Sequence, residues 1–464
     1  MGHGRQGGAA VTAPTPVLAR PADARRPDPV TDRFVRDCLV PGSALRTAVR
    51  DASYPPAFAD CWGGRMLQRP LFAPESQVMG FAADLDAFVT LLESVPDRLF
   101  DGDLARYCDH LGIEAERASV LRRFAVGPLT RYGRADVYHD GTGFRLLEIN
   151  MASNLGGTDR SEMQRALEDV PAFRAFAREN GLGHVHTGER LRAALAAVRP
   201  AHLGGDTPRG AVICGRGGLE KYGHLLRGFT EMMERLGLRF ELGELDDVHE
   251  RGGRVLLRGA PVDVALRFFN VDDVFWDRRS RARAELLFRA HEEERLLLWS
   301  PINGSLFSNK GALALLSDPD LRSTLTASEA AVVDRVLPET FLLTPGSVPY
   351  CREHRAGLIL KPLRDFGGRG IVAGWRLDDR EWRAVLEESP ERHYVVQRRV
   401  VPAAEQVVCP DSGRAEDWHA VWGMFFTPDG YAGTDVRAAP AAHSAVINYG
   451  ANPHVRTGCV FTYA

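Results

Sequence analysis

The pattern of hydrophobic and polar positions predicts helices early in the chain and mixed elements after them. Residues 31–125 are predicted to be mostly helical, because segments such as FAADLDAFVTLLESV space their apolar residues near a helical period. ADVYHD and FRLLEIN are rich in β-forming residues and flank DGTG, which predicts a β-hairpin over residues 133–150. DRSEMQRALEDV then predicts a helix with Thr158 or Asp159 as its N-cap.

The middle of the chain predicts a small α/β domain. RGAVICGRGG predicts a buried strand, and GHLLRGFTEMMERLG predicts an amphipathic helix. RFELGEL, the hairpin-like GGRVLLRGAPV and DVALRFF follow, and this alternation is typical of a parallel sheet. After about residue 300, helices mix with the predicted strands GLILKPL, HYVVQRRVV, AVWGMFF and CVFTYA.

Composition narrows the class of protein. The chain has 464 residues, which favours two or three domains, and its 44% hydrophobic and 26% charged residues are ordinary for a globular protein. A net charge of -3 gives no reason to expect nucleic acid or an anionic membrane as a partner. The first 30 residues are rich in Gly, Ala, Pro and Arg, and they are predicted to be a disordered tail.

Cysteine and histidine usage predicts neither a disulfide framework nor a metal cluster. The cysteines number seven, no two form a CxxC motif, and a reducing cytoplasm is the simplest setting. His184 and His186 in GHVHTG have no further ligand cluster around them, and they are predicted to be surface histidines.

The stretch LLEIN places two polar residues inside an apolar run. Residues two apart in a strand point to the same side, so Glu148 and Asn150 are predicted to project together. A carboxylate and a carboxamide oxygen form a hard donor pair that suits Mg²⁺. The alternative is an edge strand with a solvated polar face.

LILKPLRDFGGRGI favours phosphate binding. A predicted strand carries Lys361, and the loop after it contains Asp365, Gly367, Gly368 and Gly370. Glycines allow backbone N–H groups to approach phosphate oxygens, and the lysine adds a positive charge. The alternative is an ordinary glycine-rich turn between strands.

Lys310 stands at the opening of the helix predicted by KGALALL. A lysine there can hold an anion together with the backbone amides, although most lysines in such positions do nothing. Other nucleotide signatures are missing, because the sequence contains no GxxxxGK[ST] motif. In CGRGGLEKYG, Glu220 stands where the third glycine of a dinucleotide-binding turn belongs.

Together, Glu-x-Asn, a lysine before a helix and Lys-Pro-x-x-acid-x-Gly-Gly resemble the ATP-grasp superfamily. In most ATP-grasp chains Glu-x-Asn follows the two ATP lysines, whereas here it precedes Lys310, and this order resembles the circularly permuted eukaryotic-type glutathione synthetase. GRADVYHDGTGFRLLEINMASNLGG, LILKPLRDFGGRGI and GTDVRAA are similar to segments of that family. The resemblance covers most of residues 130–464, and the helical N-terminal part matches only in kind. The serine-containing loop is one residue shorter here, and QRRVV replaces the apolar end of the adenine strand.

The resemblance implies an α/β (α+β) chain with a circularly permuted ATP-grasp fold, a helical N-terminal part and a small parallel-sheet α/β domain. It also implies that residues 130–160 pack beside residues 360–375 and 435–464. Four regions are expected. Residues 1–30 form a disordered tail, and residues 31–200 form the helical part with the Glu-x-Asn strands. Residues 205–300 form a small substrate-binding α/β domain, and residues 301–464 form the ATP-binding region.

The resemblance implies three groups of site residues. The first would hold magnesium ions, two in number, with Mn²⁺ as an alternative: Glu148, Asn150 and Asp365. The second would contact the phosphates, close over them or face the adenine of ATP: Lys310, Lys361, Gly367, Gly368, Gly370, Val396 and Gln397. The third group has two roles. Arg134 and Lys361 would be catalytic residues. Ser153, Arg267 and Arg437 would bind the acceptor-side substrate.

The implied activity is that of an ATP-dependent carboxylate–amine ligase that works through an acyl phosphate, on amino acids or small peptides. Glutathione synthetase itself is one alternative, and a catalytically silent nucleotide-binding or peptide-recognition protein is another. The expected partners are small-molecule carboxylates and amines, without nucleic acid or membrane, and a homodimer stays open.

Overall fold

The structure is a computed structural model that describes residues 28–124, 129–151, 156–198, 207–363, 368–389 and 394–464. Its α-helices are, in chain order, α1 (Pro29–Leu39), α2 (Ala48–Asp51), α3 (Pro56–Trp62), α4 (Glu75–Phe100), α5 (Leu104–His110), α6 (Ala115–Phe124), α7 (Ser161–Glu168), α8 (Pro171–Glu179), α9 (Thr187–Ala197), α10 (Gly218–Arg235), α11 (Val271–Phe275), α12 (Arg278–Glu292), α13 (Gly304–Phe307), α14 (Lys310–Leu315), α15 (Pro319–Thr324), α16 (Ala327–Val336), α17 (Val348–Glu353) and α18 (Asp379–Glu388).

The described strands form a seven-stranded mixed sheet, a four-stranded parallel sheet, a four-stranded antiparallel sheet and a three-stranded sheet. They are β1 (Leu71–Pro74), β2 (Gly133–His139), β3 (Phe144–Asn150), β4 (Gly210–Cys214), β5 (Phe240–Glu244), β6 (Val248–Arg251), β7 (Arg254–Leu257), β8 (Ala260–Pro261), β9 (Val264–Arg267), β10 (Leu297–Leu298), β11 (Thr340–Leu342), β12 (Leu358–Pro362), β13 (Val372–Ala373), β14 (Tyr394–Arg398), β15 (Glu405–Val408), β16 (Ala415–Thr427), β17 (Gly430–Pro440) and β18 (Arg456–Tyr463).

The largest sheet joins distant parts of the sequence. Its order is β1-β18-β17-β16-β2-β3, and β15 pairs with β16. The predicted hairpin of β2 and β3 is confirmed, and its turn closes where Asp140 Oδ1 accepts hydrogen bonds from the backbone of Thr142 and Gly143. Since β16 lies between β2 and β17 and pairs with both, the hairpin and residues 435–464 share one sheet, as the resemblance implies.

Helices cover this sheet. The predicted amphipathic helix is confirmed as α4, which buries the expected apolar residues Phe81, Leu85, Phe88, Val89, Leu91 and Leu92. The ring of Phe81 lies 5.5 Å from that of Phe144, so the helix packs directly on the hairpin. Helix α1 begins at Pro29, two residues inside the predicted tail, and residues 1–27 of that tail lie outside the described residues.

The parallel sheet of the middle region is confirmed. Its order is β10-β9-β4-β5, and all three pairings are parallel. The predicted helix α10 follows β4 and buries Leu226, Phe229, Met232 and Met233. The expected boundary before this region, between residues 200 and 205, lies outside the described residues.

A separate four-stranded antiparallel sheet carries the lysine strand. Its order is β11-β14-β12-β13, with Lys361 on β12 opposite Val395 of β14. Leu360 and Val396 face the other side, where they pack with Trp382 of α18 in a buried core. The sheet therefore has one apolar face against helices and one face that carries Lys361 and Gln397.

Two local predictions are wrong. A 3₁₀ turn, Thr158–Arg160, precedes α7, so the N-cap is Arg160 and neither Thr158 nor Asp159 caps the helix. His186 is buried, and its Nδ1 accepts a hydrogen bond from the backbone of Glu189, because it caps α9. His184 Nδ1 lies 3.2 Å from a carboxylate oxygen of Glu168, so neither histidine is a free surface residue.

Among the described residues, no helix is long and apolar enough to cross a membrane. The seven cysteines are free thiols. Burial raises the pKa of several of them, for example to about 12 for Cys214, so these thiols stay protonated near neutral pH.

Candidate active site

The polar face of the β2–β3 hairpin forms the floor of the site. In the register of the two strands, Asp136 lies opposite Glu148 and Arg134 lies opposite Asn150. Cross-strand partners point to the same face of a sheet, so all four side chains share one side. Asn150 Nδ2 donates a hydrogen bond to Asp136 Oδ2 at 3.3 Å, which leaves the amide oxygen of Asn150 for another partner.

A buried cluster of opposite charges continues from this floor onto β17. Asp136 accepts from Arg134 Nε at 2.7 Å and lies 2.5 Å from Arg437 Nη2. Asp435 lies 4.0 Å from Arg134, and the carboxylates of Asp136 and Asp435 are almost fully buried. Two cations and two anions thus balance in a water-poor region, where each interaction is stronger than at the surface.

The protonation of the cluster follows from this balance. Burial alone would raise the pKa of Asp136, but Arg134 and Arg437 hold it well below its ordinary value. Burial opposes the charge of Arg134, yet Asp136 and Asp435 raise its pKa above its ordinary value. For Asp435, burial raises the pKa, although the same two arginines oppose the rise. Asp136 is therefore the firmly ionised acid of the cluster.

Gly423 on β16 leaves the room that this cluster occupies. A Cβ atom at this position would collide with the Asp435 carboxylate and would come 2.8 Å from Arg134 Cδ. The strand pairing explains the conflict, because Gly423 lies between Asp136 on one side and Asp435 on the other. The missing side chain of β16 thus lets the charges of β2 and β17 meet across it.

We expect Gly423→Ala to destabilise the protein by about 1–3 kcal/mol, as overpacking of a tight interior does. The matched control is Gly80→Ala, because Gly80 lies in α4 with open space around it, and alanine there should stabilise slightly. Thermal unfolding of both variants checks the prediction. Equal melting temperatures for the two variants would show that the cluster tolerates a methyl group.

Two lysines reach the floor from other elements. Lys310 is the first residue of α14, and its Nζ lies 3.4 Å from Glu148 Oε2. Ser308 Oγ accepts a hydrogen bond from the backbone of Met151, which ties the start of α14 to the end of β3. Lys361 Nζ donates to the Leu147 carbonyl at 2.9 Å and to Gln397 Oε1 at 2.7 Å.

The surroundings of Lys361 weaken its positive charge. Burial lowers the pKa of Lys361 to about 8, against the opposing effect of Glu148. Its partner Gln397 is itself held by Thr340 Oγ1, which accepts from Gln397 Nε2 at 3.0 Å. The lysine is thus fixed beside Glu148 with a charge that a bound anion would stabilise.

Two cavities of similar size meet at the charged cluster. The first has a volume of about 530 Å³, and the site residues on its wall are Asp136, Glu148, Lys361, Gly368, Gln397 and Arg437. Its other end is lined by residues 398–402 and Trp375, whose ring centroid lies 4.1 Å from Cζ of Arg399. The second has a volume of about 540 Å³ and is lined by Arg134, Arg267, Asp435 and Arg437 among others. Arg437 therefore lines both cavities.

The glycine-rich segment lies partly outside the described residues, which exclude Asp365 and Gly367. Gly368 and Gly370 have φ angles of +76° and +68°, a backbone conformation that favours glycine. A Cβ atom at Gly368 would come 2.8 Å from a methyl group of Val446. Ser153, predicted to contact substrate, also lies outside the described residues.

The side chains of two predicted site residues make contacts that the sequence does not suggest. The side chain of Val396 lies in the buried core beside Trp382, because neighbouring residues of a strand face opposite sides and Gln397 takes the cavity side. Arg267 lines the second cavity, but its guanidinium donates to the carbonyls of Ser300, Phe269 and Pro301. It therefore also holds the local backbone in place.

Sequence reasoning missed Asp136 as a site residue. The signal was present, because Asp136 follows Arg134 by two positions on the same strand face and the short DGTG turn sets it opposite Glu148. Asp435 precedes Arg437 with the same spacing. An acid two residues from an arginine on each of the two strands that flank β16 is the pattern that points to this cluster.

Comparisons with known proteins bear on the fold. No protein-family model and no curated protein sequence matches the chain. A glutathione synthetase-like effector from Globodera pallida, solved in its apo form, is similar with a TM-score of 0.52 and 12% identity, over 86% of this chain and 90% of that chain. A candidate gamma-glutamylcysteine synthetase from Methylobacillus flagellatus gives a TM-score of 0.42 and 11% identity, over 85% and 90% of the two chains. The first of these likenesses shows that the chain shares the fold of a glutathione synthetase-like protein.

Proposed function

We propose that the protein is an ATP-dependent carboxylate–amine ligase with a circularly permuted ATP-grasp fold. The observation that carries the proposal is the shared wall of the two cavities, where Arg437 and its partner Asp136 stand between a cavity that contains Lys361 and one that contains Arg134. A ligase of this class needs one site for ATP and an adjoining site for the substrate that receives the phosphoryl group. The two cavities meet that requirement.

In this proposal ATP binds in the first cavity. Its phosphates lie near Lys361 and Lys310, whose charges offset those of the triphosphate. The base lies at the other end, beside Trp375 and the backbone of residues 398–402. The left-handed glycines 368 and 370 bring backbone close to the phosphates without side chains in the way.

The polar pair of β3 fits a magnesium ion. Glu148 is partly exposed and lines the first cavity. Asn150 uses its amide nitrogen to donate a hydrogen bond to Asp136, so this bond does not occupy its amide oxygen. Mg²⁺ at nucleotide sites is commonly held by one or two carboxylates together with substrate phosphates. Glu148 and Asn150 are the two predicted ligands that the structure describes, and the third, Asp365, lies outside the described residues. When bound, the ion would offset negative charge on the transferring phosphoryl group.

The reaction joins a carboxylate and an amine. The γ-phosphoryl group of ATP passes to a carboxylate oxygen, which gives an acyl phosphate and ADP, and the amine then displaces phosphate from the carbonyl carbon. Arg134 lies on the second cavity and is held by Asp136, so it is positioned to stabilise charge on the acyl phosphate and on the tetrahedral intermediate. Lys361 approaches the phosphates from the first cavity.

A screen for ADP release tests the proposal. Small carboxylates are paired with amines, including amino acids and dipeptides, and products are identified by mass spectrometry. We expect at least one pair to give ADP together with a product whose mass equals the sum of the two substrates less one water. ADP release that never depends on both a carboxylate and an amine would reject the ligase reaction.

The pKa of Lys361 predicts how nucleotide binding depends on pH. Its folded-state pKa is lowered to about 8, so the cation is present below that pH and is lost as pH rises through it. We expect the affinity for a non-hydrolysable ATP analogue, measured by calorimetry without divalent metal, to fall between pH 7 and 9. Lys361→Met should bind more weakly and lose this dependence, whereas Lys221→Met, at an exposed lysine of the second cavity, should keep it. An affinity of the unaltered protein that stays constant over this range contradicts the assignment.

A further inference from the structure

The second cavity has an apolar side formed by α10. Tyr222, Leu225, Leu226 and Phe229 line it. Their spacing along the helix puts them on one face. Leu226 and Phe229 are only 7% and 8% exposed, so this face is largely removed from solvent.

The parallel sheet supplies the facing side. Val212 of β4 and Leu266 of β9 are register partners that line the cavity together. Phe268, just after β9, meets Tyr222 edge to face with ring centroids 5.7 Å apart. This part of the cavity is therefore lined mainly by aliphatic and aromatic groups from a helix and a sheet, and the exposed Lys221 stands beside them with its Nζ 4.8 Å from the centroid of the Tyr222 ring.

The near part of the same cavity is cationic. Arg134 and Arg437 are balanced by Asp136 and Asp435, and the buried Arg160 is paired with Asp159. Lys221, Arg267 and Arg369 add positive charge to the lining, although the guanidinium of Arg267 donates to three backbone carbonyls and burial lowers its pKa to about 9. The lining of the cavity therefore combines an excess of positive charge with a group of apolar side chains.

A small polar substrate would leave the apolar end of this cavity filled with water. Burying an apolar group there releases that water, which favours a substrate with a matching side chain. The volume of about 540 Å³ lies in the usual range for a small-molecule site. A molecule that has a negative charge and an apolar group a few bonds away can contact the cationic and the apolar side chains of the lining at the same time.

We propose that the second cavity binds a carboxylate-bearing substrate with an apolar side chain of about the size of an aromatic ring, as in an apolar amino acid or a short peptide that contains one. The assignment of this molecule as a ligase substrate rests on the proposed function. The carboxylate lies beside Arg134 and Arg437. The ring lies between Tyr222 and Phe229 on one side and Leu266 on the other.

Calorimetry with two dipeptides tests this inference, in the presence of magnesium and a non-hydrolysable ATP analogue. Glycyl-L-phenylalanine should bind at least about tenfold more tightly than glycylglycine, since burial of a ring-sized side chain is worth that much. Tyr222→Ala should remove most of the difference, and Tyr222→Phe should keep it. The matched control is Tyr350→Ala, because Tyr350 makes a similar edge-to-face contact with Phe341 at 5.9 Å and lies outside the described walls of both cavities.

Equal affinities for the two dipeptides, failure of both to bind, or a preference that survives Tyr222→Ala would overturn the inference. ADP release separates it from the proposed function. If glycyl-L-phenylalanine binds with the expected preference but no substrate pair releases ADP, the ligase proposal fails and the apolar site stands. If small polar substrates are ligated as well as apolar ones, the ligase proposal stands and the apolar site does not.

Discussion

Glu148→Gln is expected to reduce ADP formation by a factor of about 100 or more, because the carboxylate that would hold the metal beside the triphosphate is replaced by a neutral amide. The fold should be unaffected. Glu148 is about one-third exposed, with 31% of its side chain accessible, and its contact with Lys310 at 3.4 Å is a partly exposed ion pair of small energetic value. Rates with saturating magnesium and the melting temperature together check both expectations.

A matched control is available in Glu285→Gln. Glu285 has the same exposed fraction, 31%, and pairs with Arg123 at 3.2 Å, but it lies outside the described walls of the two cavities. This variant should keep the full rate and the same metal requirement. Near-normal turnover of Glu148→Gln would mean that the polar pair of β3 is the solvated strand face that the sequence also allows.

Asp136→Asn is expected to destabilise the protein by about 3–5 kcal/mol, since removing one member of a buried ion pair leaves its partners uncompensated. Asp136 contacts two arginines, at 2.7 Å and 2.5 Å, and its side chain is only 3% exposed. We also expect ADP formation to be lost, because Arg134 and Arg437 are no longer held at the wall between the cavities. The melting temperature measures the loss of stability. The rate of ADP formation, measured at a temperature at which the variant is folded, measures the loss of activity separately.

Asp334→Asn provides the comparison for this variant. Asp334 also makes a close ion pair, with Arg322 at 2.7 Å, but 66% of its side chain is exposed. Its loss should cost less than about 1 kcal/mol, as is usual for surface pairs. Similar losses of stability for the two variants would show that the buried cluster does not contribute as its geometry implies.

The elements with strong periodicity could be predicted from the sequence. Helix α4 and the β2–β3 hairpin follow from local patterns alone, and the parallel sheet follows from the alternation of strands with α10. The meeting of the hairpin with the C-terminal strands does not follow from any local pattern. The prediction of this meeting depends on the resemblance to a permuted fold, since a sequence pattern does not specify which distant strands pair.

The details of the site depended on tertiary contacts. Val396 and Gln397 are adjacent and equally buried, and only the packing of Trp382 decides which one turns to the core. His186 is buried where it caps α9, and its Nε2 lies 3.3 Å from a carboxylate oxygen of Glu162. No sequence motif predicts either contact. The sequence places Asp136 and Arg134 on one strand face, but it does not specify that β17 brings Arg437 beside the same carboxylate.

Transfer of an oxygen label tests the ligase mechanism most directly. The substrate carboxylate of the pair that releases most ADP is enriched in oxygen-18, and the released phosphate is analysed by mass spectrometry. If an acyl phosphate forms, the amine breaks the bond between carbonyl carbon and labelled oxygen, so each phosphate carries one labelled atom. Phosphate without label, or the absence of any pair that releases ADP, would contradict the proposal that the two cavities together form an acyl-phosphate ligase.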